Sequence, residues 1–96
     1  MDADGYPDGE ELARIVRWPH TDLVGLFQFI RTLWQYKNCW KQRGRRYWLS
    51  TGGWSGNESL IEALQSNQIV WLVCFYSHRR GGHYVFELPK IKKKTA

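Results

Sequence analysis

Ser50-Thr51-Gly52-Gly53-Trp54-Ser55-Gly56-Asn57-Glu58 is a glycine- and hydroxyl-rich loop between a strand-like segment, Arg45 to Ser50, and a helix-like one. Ser55 and Glu58 have capping-box spacing, in which the serine accepts from the backbone N–H of residue 58 and the glutamate reaches back. A helix start presents free N–H groups and a partial positive charge, and glycines let an anion approach the backbone. The loop therefore predicts a strand-to-helix transition whose geometry suits a phosphate or a carboxylate.

Working outward, the helix after the loop is expected over about Asn57 to Ser66, with Leu60, Ile61 and Leu64 inward and Asn67 as its cap. Upstream, Cys39 to Gln42 and Arg45 to Ser50 flank Arg43-Gly44, which reads as a hairpin. Leu23, Leu26, Phe27, Ile30, Leu33 and Trp34 form one helical stripe that starts near Thr21 or Asp22, with Phe29 off it. Asp8 and Glu11 have capping-box spacing ahead of Leu12, Ile15 and Val16, and Pro19 stops that first helix. Downstream, Gln68 to His78 reads as one long strand, buried on both faces over part of its length. Gly81-Gly82 then turns the chain into His83 to Leu88, and Pro89 ends the pairing. The expected order is α-α-β-β-α-β-β: an α+β domain with one small, mainly antiparallel sheet and helices on one face.

A two-residue Gly81-Gly82 turn would pair Arg80 with His83, Arg79 with Tyr84 and His78 with Val85. Trp71, Val73, Phe75, Tyr84, Phe86 and Leu88 would then face the core, with Ser77 and Arg79 at its rim. Tyr76, His78, Arg80, His83 and Glu87 would share the other face, where Arg80 and the histidines could hold an anion. A solvent-facing sheet surface shows the same polar alternation. With the glycine loop beside this hairpin, the candidate ligand-binding set is Ser50, Thr51, Gly52, Gly53, Trp54, Ser55, Gly56, Asn57, Arg79, Arg80, His83 and Tyr84.

Ninety-six residues make one domain, expected over 8–89, with 1–7 a disordered N-terminus and 90–96 a basic disordered tail. Six Trp, five Tyr and four Phe exceed what so small a core can hold, so some aromatics should line an interface or a site. The net charge of +5 is uneven: residues 1–11 carry five acids and no base, leaving fourteen bases against four acids in the rest. A surface this basic favours polyanions and other acidic partners. The segment before Glu11 has no apolar leader-like run, and the longest apolar run, Ile69 to Tyr76, is too short for a membrane span. Cys39 and Cys74 fit reduced thiols in a cytoplasmic protein, Cys74 as a buried packing residue.

Several chemistries lack their motif. No Gly-Lys-Ser/Thr follows the loop, and its glycines have the wrong spacing for a dinucleotide fold. Gly53-Trp54-Ser55-Gly56-Asn57 departs from a nucleophile elbow at Asn57. No Cys-x-x-Cys or His-x-x-x-His spacing suggests a metal, and no cofactor is implied. Nucleic-acid binding has support in an isoelectric point near 9.5. Trp40, Tyr47 and Trp48 are also interleaved with Lys41, Arg43, Arg45 and Arg46. Tyr47 and Trp48 alternate, so at least one belongs to the core.

Leu49-Ser50-Thr51-Gly52-Gly53-Trp54-Ser55-Gly56-Asn57-Glu58 and Arg79-Arg80-Gly81-Gly82-His83-Tyr84-x-Phe86-Glu87 resemble a group of small uncharacterised proteins encoded by bacteriophages and prophages. The likeness extends through Glu11-Leu12-Ala13-Arg14-Ile15, Trp18-Pro19 and the second helix. It implies a phage setting inside a bacterial host cell and supplies no catalytic residues; the lysine-rich tail departs from the pattern. The reading that joins these features is a non-enzymatic module holding an anionic small ligand, such as a nucleotide, in counter-defence or host takeover. A nucleic-acid-binding accessory protein is the alternative. A third is a small hydrolase or nuclease using His78, His83 and Glu87.

Overall fold

Asp8 accepts from Glu11 N and Glu11 returns the bond to Asp8 N, so the predicted capping box starts helix α1, Gly9–Arg17. Trp18 ends it one residue before Pro19. Asp22 caps α2, Leu23–Leu33, through Gly25 N, and the expected stripe of Leu23, Leu26, Phe27, Ile30 and Leu33 is buried. Phe29, off that stripe, stacks on Trp18 with Arg14 lying 4.4 Å above its ring centroid. A 3-10 turn, Lys37–Cys39, then leads into strands β1, Trp40–Arg43, and β2, Arg46–Ser50. Helices α3, Ser55–Ser66, and α4, Gln68–Cys74, precede the final strands β3, Phe75–Arg79, and β4, His83–Glu87.

The computed structural model describes residues 1–90; of the basic tail expected over 90–96, all but Lys90 lies outside the described residues. Residues 1–7, expected to fray, form a turn in which Asp2 accepts from the backbone of Asp4 and Tyr6. The Tyr6 ring lies 4.7 Å from that of Trp54.

The protein is an α+β domain with a four-stranded antiparallel sheet in the order β1-β2-β4-β3. The expected element order holds, with the 3-10 turn and α4 added to it. Alternation along β2 buries Tyr47 and Leu49, and Trp40 and Phe86 from β1 and β4 share their face. Phe27 of α2 packs there, 4.6 Å from Tyr47 and 5.5 Å from Phe86 between ring centroids. Ile15, Leu60, Ile61, Leu64 and Val70 complete the core from the other helices. One sheet face is thus covered, and the other is left open.

Four expectations change. Residues 68–74, read as strand, form α4, because Asn67 fixes a helix start there: its amide oxygen accepts from Val70 N at 3.4 Å. The Asn67 amide nitrogen donates to the carbonyls of Ile15 and Trp18 at 2.9 and 3.0 Å, locking the cap against the end of α1. Tertiary anchoring overrides the β-propensity of Ile, Val and Trp here. Consequently Val70 and Cys74 point inward while Ile69, Leu72, Val73 and Phe75 are exposed, so Val73 and Phe75 are not the core residues expected. Burial pushes the Cys74 thiol up to about 11, which suits an inert packing residue.

The first hairpin turns at Gly44-Arg45, not Arg43-Gly44, since Arg43 pairs with Arg46. The last hairpin closes on three residues, Arg80, Gly81 and Gly82, so Arg79 pairs with His83 and His78 with Tyr84. Finally, Ser55 does not cap α3: the N-cap is Trp54, with no side-chain cap bond, and Ser55 is the first helical residue.

Candidate functional site

The glycine loop spends its polar groups on holding the fold. Thr51 is buried; its N–H donates to Gly82 O at 3.0 Å, and its carbonyl accepts from Trp54 N at 3.1 Å. Asn57 is fully buried at the start of α3. Its amide nitrogen donates to Gln35 O at 3.0 Å and Thr51 O at 3.2 Å, and its oxygen accepts from Gln35 N at 3.0 Å. One side chain thereby ties the end of α2, the loop and α3 together. Gly56 is glycine because the Trp54 indole lies across it: a Cβ there would meet the ring at 2.1 Å. Gly52 and Gly53 both adopt positive φ and turn the chain between strand and helix. Of the expected ligand set, Thr51, Gly52, Gly53, Trp54, Gly56 and Asn57 thus have structural work that needs no ligand.

The last hairpin explains why the face assignments change. A Cβ on Gly82 would lie 2.2 Å from Thr51 Oγ1, so the hairpin tip and the glycine loop are in direct contact. Gly82 is committed to that contact, and ladder pairing therefore starts at Arg79 and His83. A one-residue slip reverses facing. Arg79 joins His83 on one face, whereas Arg80 sits exposed in the loop. His78 lies on the opposite face, stacked 4.2 Å from Tyr84. Tyr84 is drawn toward the core beside Phe86. The expected pairing of Arg80 with His83 on one face, with Arg79 and Tyr84 on the other, is therefore corrected.

The hydrolase constellation fails for the same reason. His78 and His83 are on opposite faces, and Glu87 is four residues from His83 along β4, about 13 Å away at strand rise. Among the described residues no group of three or more His, Cys, Asp or Glu could hold a metal ion.

What the fold assembles instead is the open face of the sheet. Pairing places Lys41 beside Trp48, Trp48 beside Val85, Ser50 beside His83, and His83 beside Arg79. A bulge between Phe75 and Ser77 lets Tyr76 reach Arg46, whose guanidinium lies 4.4 Å from the ring centroid. Arg46 also donates from Nε and Nη2 to Glu87 Oε1, at 3.1 and 2.8 Å. That bond to Glu87 raises the Arg46 pKa, so the charge is permanent. Ser50 Oγ and His83 Nδ1 are hydrogen-bonded at 2.8 Å. Together Arg46, Trp48, Ser50, Tyr76, Arg79 and His83 line a depression of about 500 Å³.

Ser50, Arg79, His83 and Tyr84 of the expected set line this depression, while Lys41, Arg43, Arg46, Trp48 and Tyr76 on the same face were not in that set. Their signal was period two: Lys41 and Arg43, then Arg46, Trp48 and Ser50, alternate with residues that face the core. Trp48 is half-buried and Tyr76 exposed on this face, so the aromatic surplus includes two rings at a polar surface. Among the described residues, no helix is long and apolar enough to cross a membrane. Compared with known proteins, the chain matches no family model, no curated protein and no solved structure.

Proposed function

We propose that the protein binds single-stranded nucleic acid on the open face of its sheet. The observation that carries this reading is the composition of that face: Trp48 and Tyr76 amid Lys41, Arg43, Arg46 and Arg79, with one acid, Glu87, already bonded to Arg46. Unpaired bases stack on aromatic rings, whatever their sequence, while the cations follow the phosphates. A stacked base on Trp48 leaves its phosphate within the reach of side chains on both neighbouring strands. The depression of about 500 Å³ on this face is large enough to seat one nucleotide.

That depression also favours a second reading, in which a mononucleotide or similar anion is the ligand. Arg79, His83 and Ser50 would hold its phosphate without help from the glycine loop. The phage setting suggested by the two sequence motifs is compatible with either ligand.

Titration of tryptophan fluorescence with single-stranded oligonucleotides, duplexes and mononucleotides separates the readings. The expected result is preference for the single strand and an affinity that falls steeply with salt, as phosphate contacts release counterions. Trp48→Ala should weaken binding about 10- to 100-fold, matching stacking of about 1–3 kcal/mol per base. Arg79→Ala should reduce the salt slope by about one contact. Equal affinity for mononucleotide and oligonucleotide selects the second reading. No binding of either at low salt rejects both.

A further inference from the structure

Helix α4 carries the most conspicuous unexplained surface. Leu72 is 83% exposed, Ile69 56%, Val73 42% and Phe75 38%. Ile69, Leu72 and Val73 fall at i, i+3 and i+4, one stripe of a helix, and Phe75 continues it into β3 with no residue between. Their exposed fractions add to about two whole side chains, or roughly 400 Å² of apolar surface at about 200 Å² each. That is the size of the largest apolar patch on a typical monomer, which is often a functional surface.

β3 is also the end strand of the sheet, so alternate backbone N–H and C=O groups along Phe75–Arg79 have no ladder partner among the described residues. Its neighbour on the inner side, β4, is fully paired. The apolar stripe and the free edge meet at Phe75. A bulge and one charged side chain, Arg79 at the strand's end, are the devices that blunt this edge; Phe75 to His78 carry no Lys, Arg, Asp, Glu or Pro.

We propose that this surface is the interface of a symmetric dimer, in which β3 pairs antiparallel with β3 of a second copy and the two α4 stripes pack together. Charge selects the occupant. The chain carries +5, so two copies repel wherever their basic surfaces meet. Between Glu62 and Arg79, however, there is no Asp, Glu, Lys or Arg, which makes α4 and most of β3 the longest uncharged stretch of the chain. With its one charge, Arg79, at the far end of β3, this surface offers little to an acidic or basic partner. In an antiparallel pair the two Arg79 side chains lie at opposite ends of the seam, so it meets its own image without like-charge burial. Antiparallel pairing of one strand with itself is isologous, so a two-fold axis satisfies both edges at once. The apolar stripe supplies about half of the roughly 800 Å² per partner that a stable interface needs, and the strand edge with its flanking side chains supplies the remainder.

The dimer would join two four-stranded sheets into one, with the two open faces side by side. It does not depend on what those faces bind.

Sedimentation velocity of the full chain over a range up to on the order of 100 µM tests the proposal. The expected result is a species of twice 11.4 kDa. Leu72→Glu should raise the dimer dissociation constant about a hundredfold or more, because two carboxylates would be buried without partners. Leu72 is so exposed that this change leaves the far-UV circular dichroism and melting temperature of the monomer intact; Ile69→Glu serves as a second variant with the same expected outcome. A wild-type monomer at every concentration overturns the proposal and leaves the patch to a different partner. A dimer that survives both substitutions overturns it too, since its interface then lies elsewhere. Leu72→Glu retains Trp48, so oligonucleotide binding by the monomeric variant reports on the open face independently.

Discussion

The glycine loop and the open face of the sheet contain similar chemistry and use it in opposite ways. In the loop, Thr51 and Asn57 are buried and turn their hydrogen-bonding groups on the fold itself, on Gly82, Trp54 and Gln35. On the sheet, Arg79, Lys41 and Arg43 stand clear of the core, and Trp48 and Tyr76 add ring faces among them. A polar group already satisfied inside the protein has little left to give a ligand, because breaking its bonds costs as much as the new ones return. A conspicuous motif can therefore be a joint, while the surface we propose for binding is spread over four short strands.

The sharpest test of that contrast is Asn57→Ala. It leaves two half-buried backbone groups without their partner, Gln35 N–H and Gln35 C=O, and takes from Thr51 C=O one of its two donors, the other being Trp54 N–H. At about 1–3 kcal/mol for each group left unsatisfied, with water recovering part, the expected loss is about 3–5 kcal/mol in urea denaturation. Asn57→Asp adds a pH signature. Its carboxylate would face two carbonyl oxygens, raising its folded pKa above the unfolded value of about 3.9. The variant should therefore be most stable below that value and lose stability as pH rises through the folded pKa. Oligonucleotide affinity of the fraction that remains folded should match the wild type. A stable Asn57→Ala protein that no longer binds would make the loop the site.

Next in size is Gly82→Ala, at the contact between hairpin and loop. The new methyl meets Thr51 Oγ1 at 2.2 Å, and φ of +79° is strained for any residue with a Cβ. Together these should cost about 2–3 kcal/mol. Adding Thr51→Ala removes the clash but not the strain, so the double variant should recover part of the loss, a coupling that a double-mutant cycle reads directly.

The contrast also marks what the sequence can disclose. The capping box at Asp8, the stripe from Leu23 to Leu33 and the strand pair flanking Gly44 were legible because each is a local pattern with a local cause. α4 was not legible. Ile69 to Tyr76 has strand composition, and the deciding influence is Asn67 bonded to Ile15 and Trp18, some fifty residues away. Register failed at the last hairpin for a similar reason. A Gly-Gly pair permits a two-residue or a three-residue closure, and the contact of Gly82 with Thr51 settles it. That one-residue difference exchanges Arg79 for Arg80 on the open face, so an error of register became an error about the site.

The smallest expected effect is the most discriminating for the loop. Gly53 has φ of +75°, yet a Cβ built on it meets nothing within 4 Å. Gly53→Ala therefore pays only the left-handed backbone strain of about 1–2 kcal/mol. Loss of glycine's freedom in the unfolded chain offsets about 0.4–1 kcal/mol of that. The net change should be about 1 kcal/mol by denaturation, and Gly53→Asn, which tolerates that conformation better, should cost less. Neither should alter binding of an oligonucleotide or of inorganic phosphate, because the added group points into open space above a loop whose Thr51 and Asn57 side chains are buried in the fold. A backbone cradle for an anion behaves differently: a methyl in the approach path blocks the ligand while stability barely moves. Should Gly53→Ala abolish anion binding at nearly constant stability, the loop binds after all, and the division of labour between joint and surface falls.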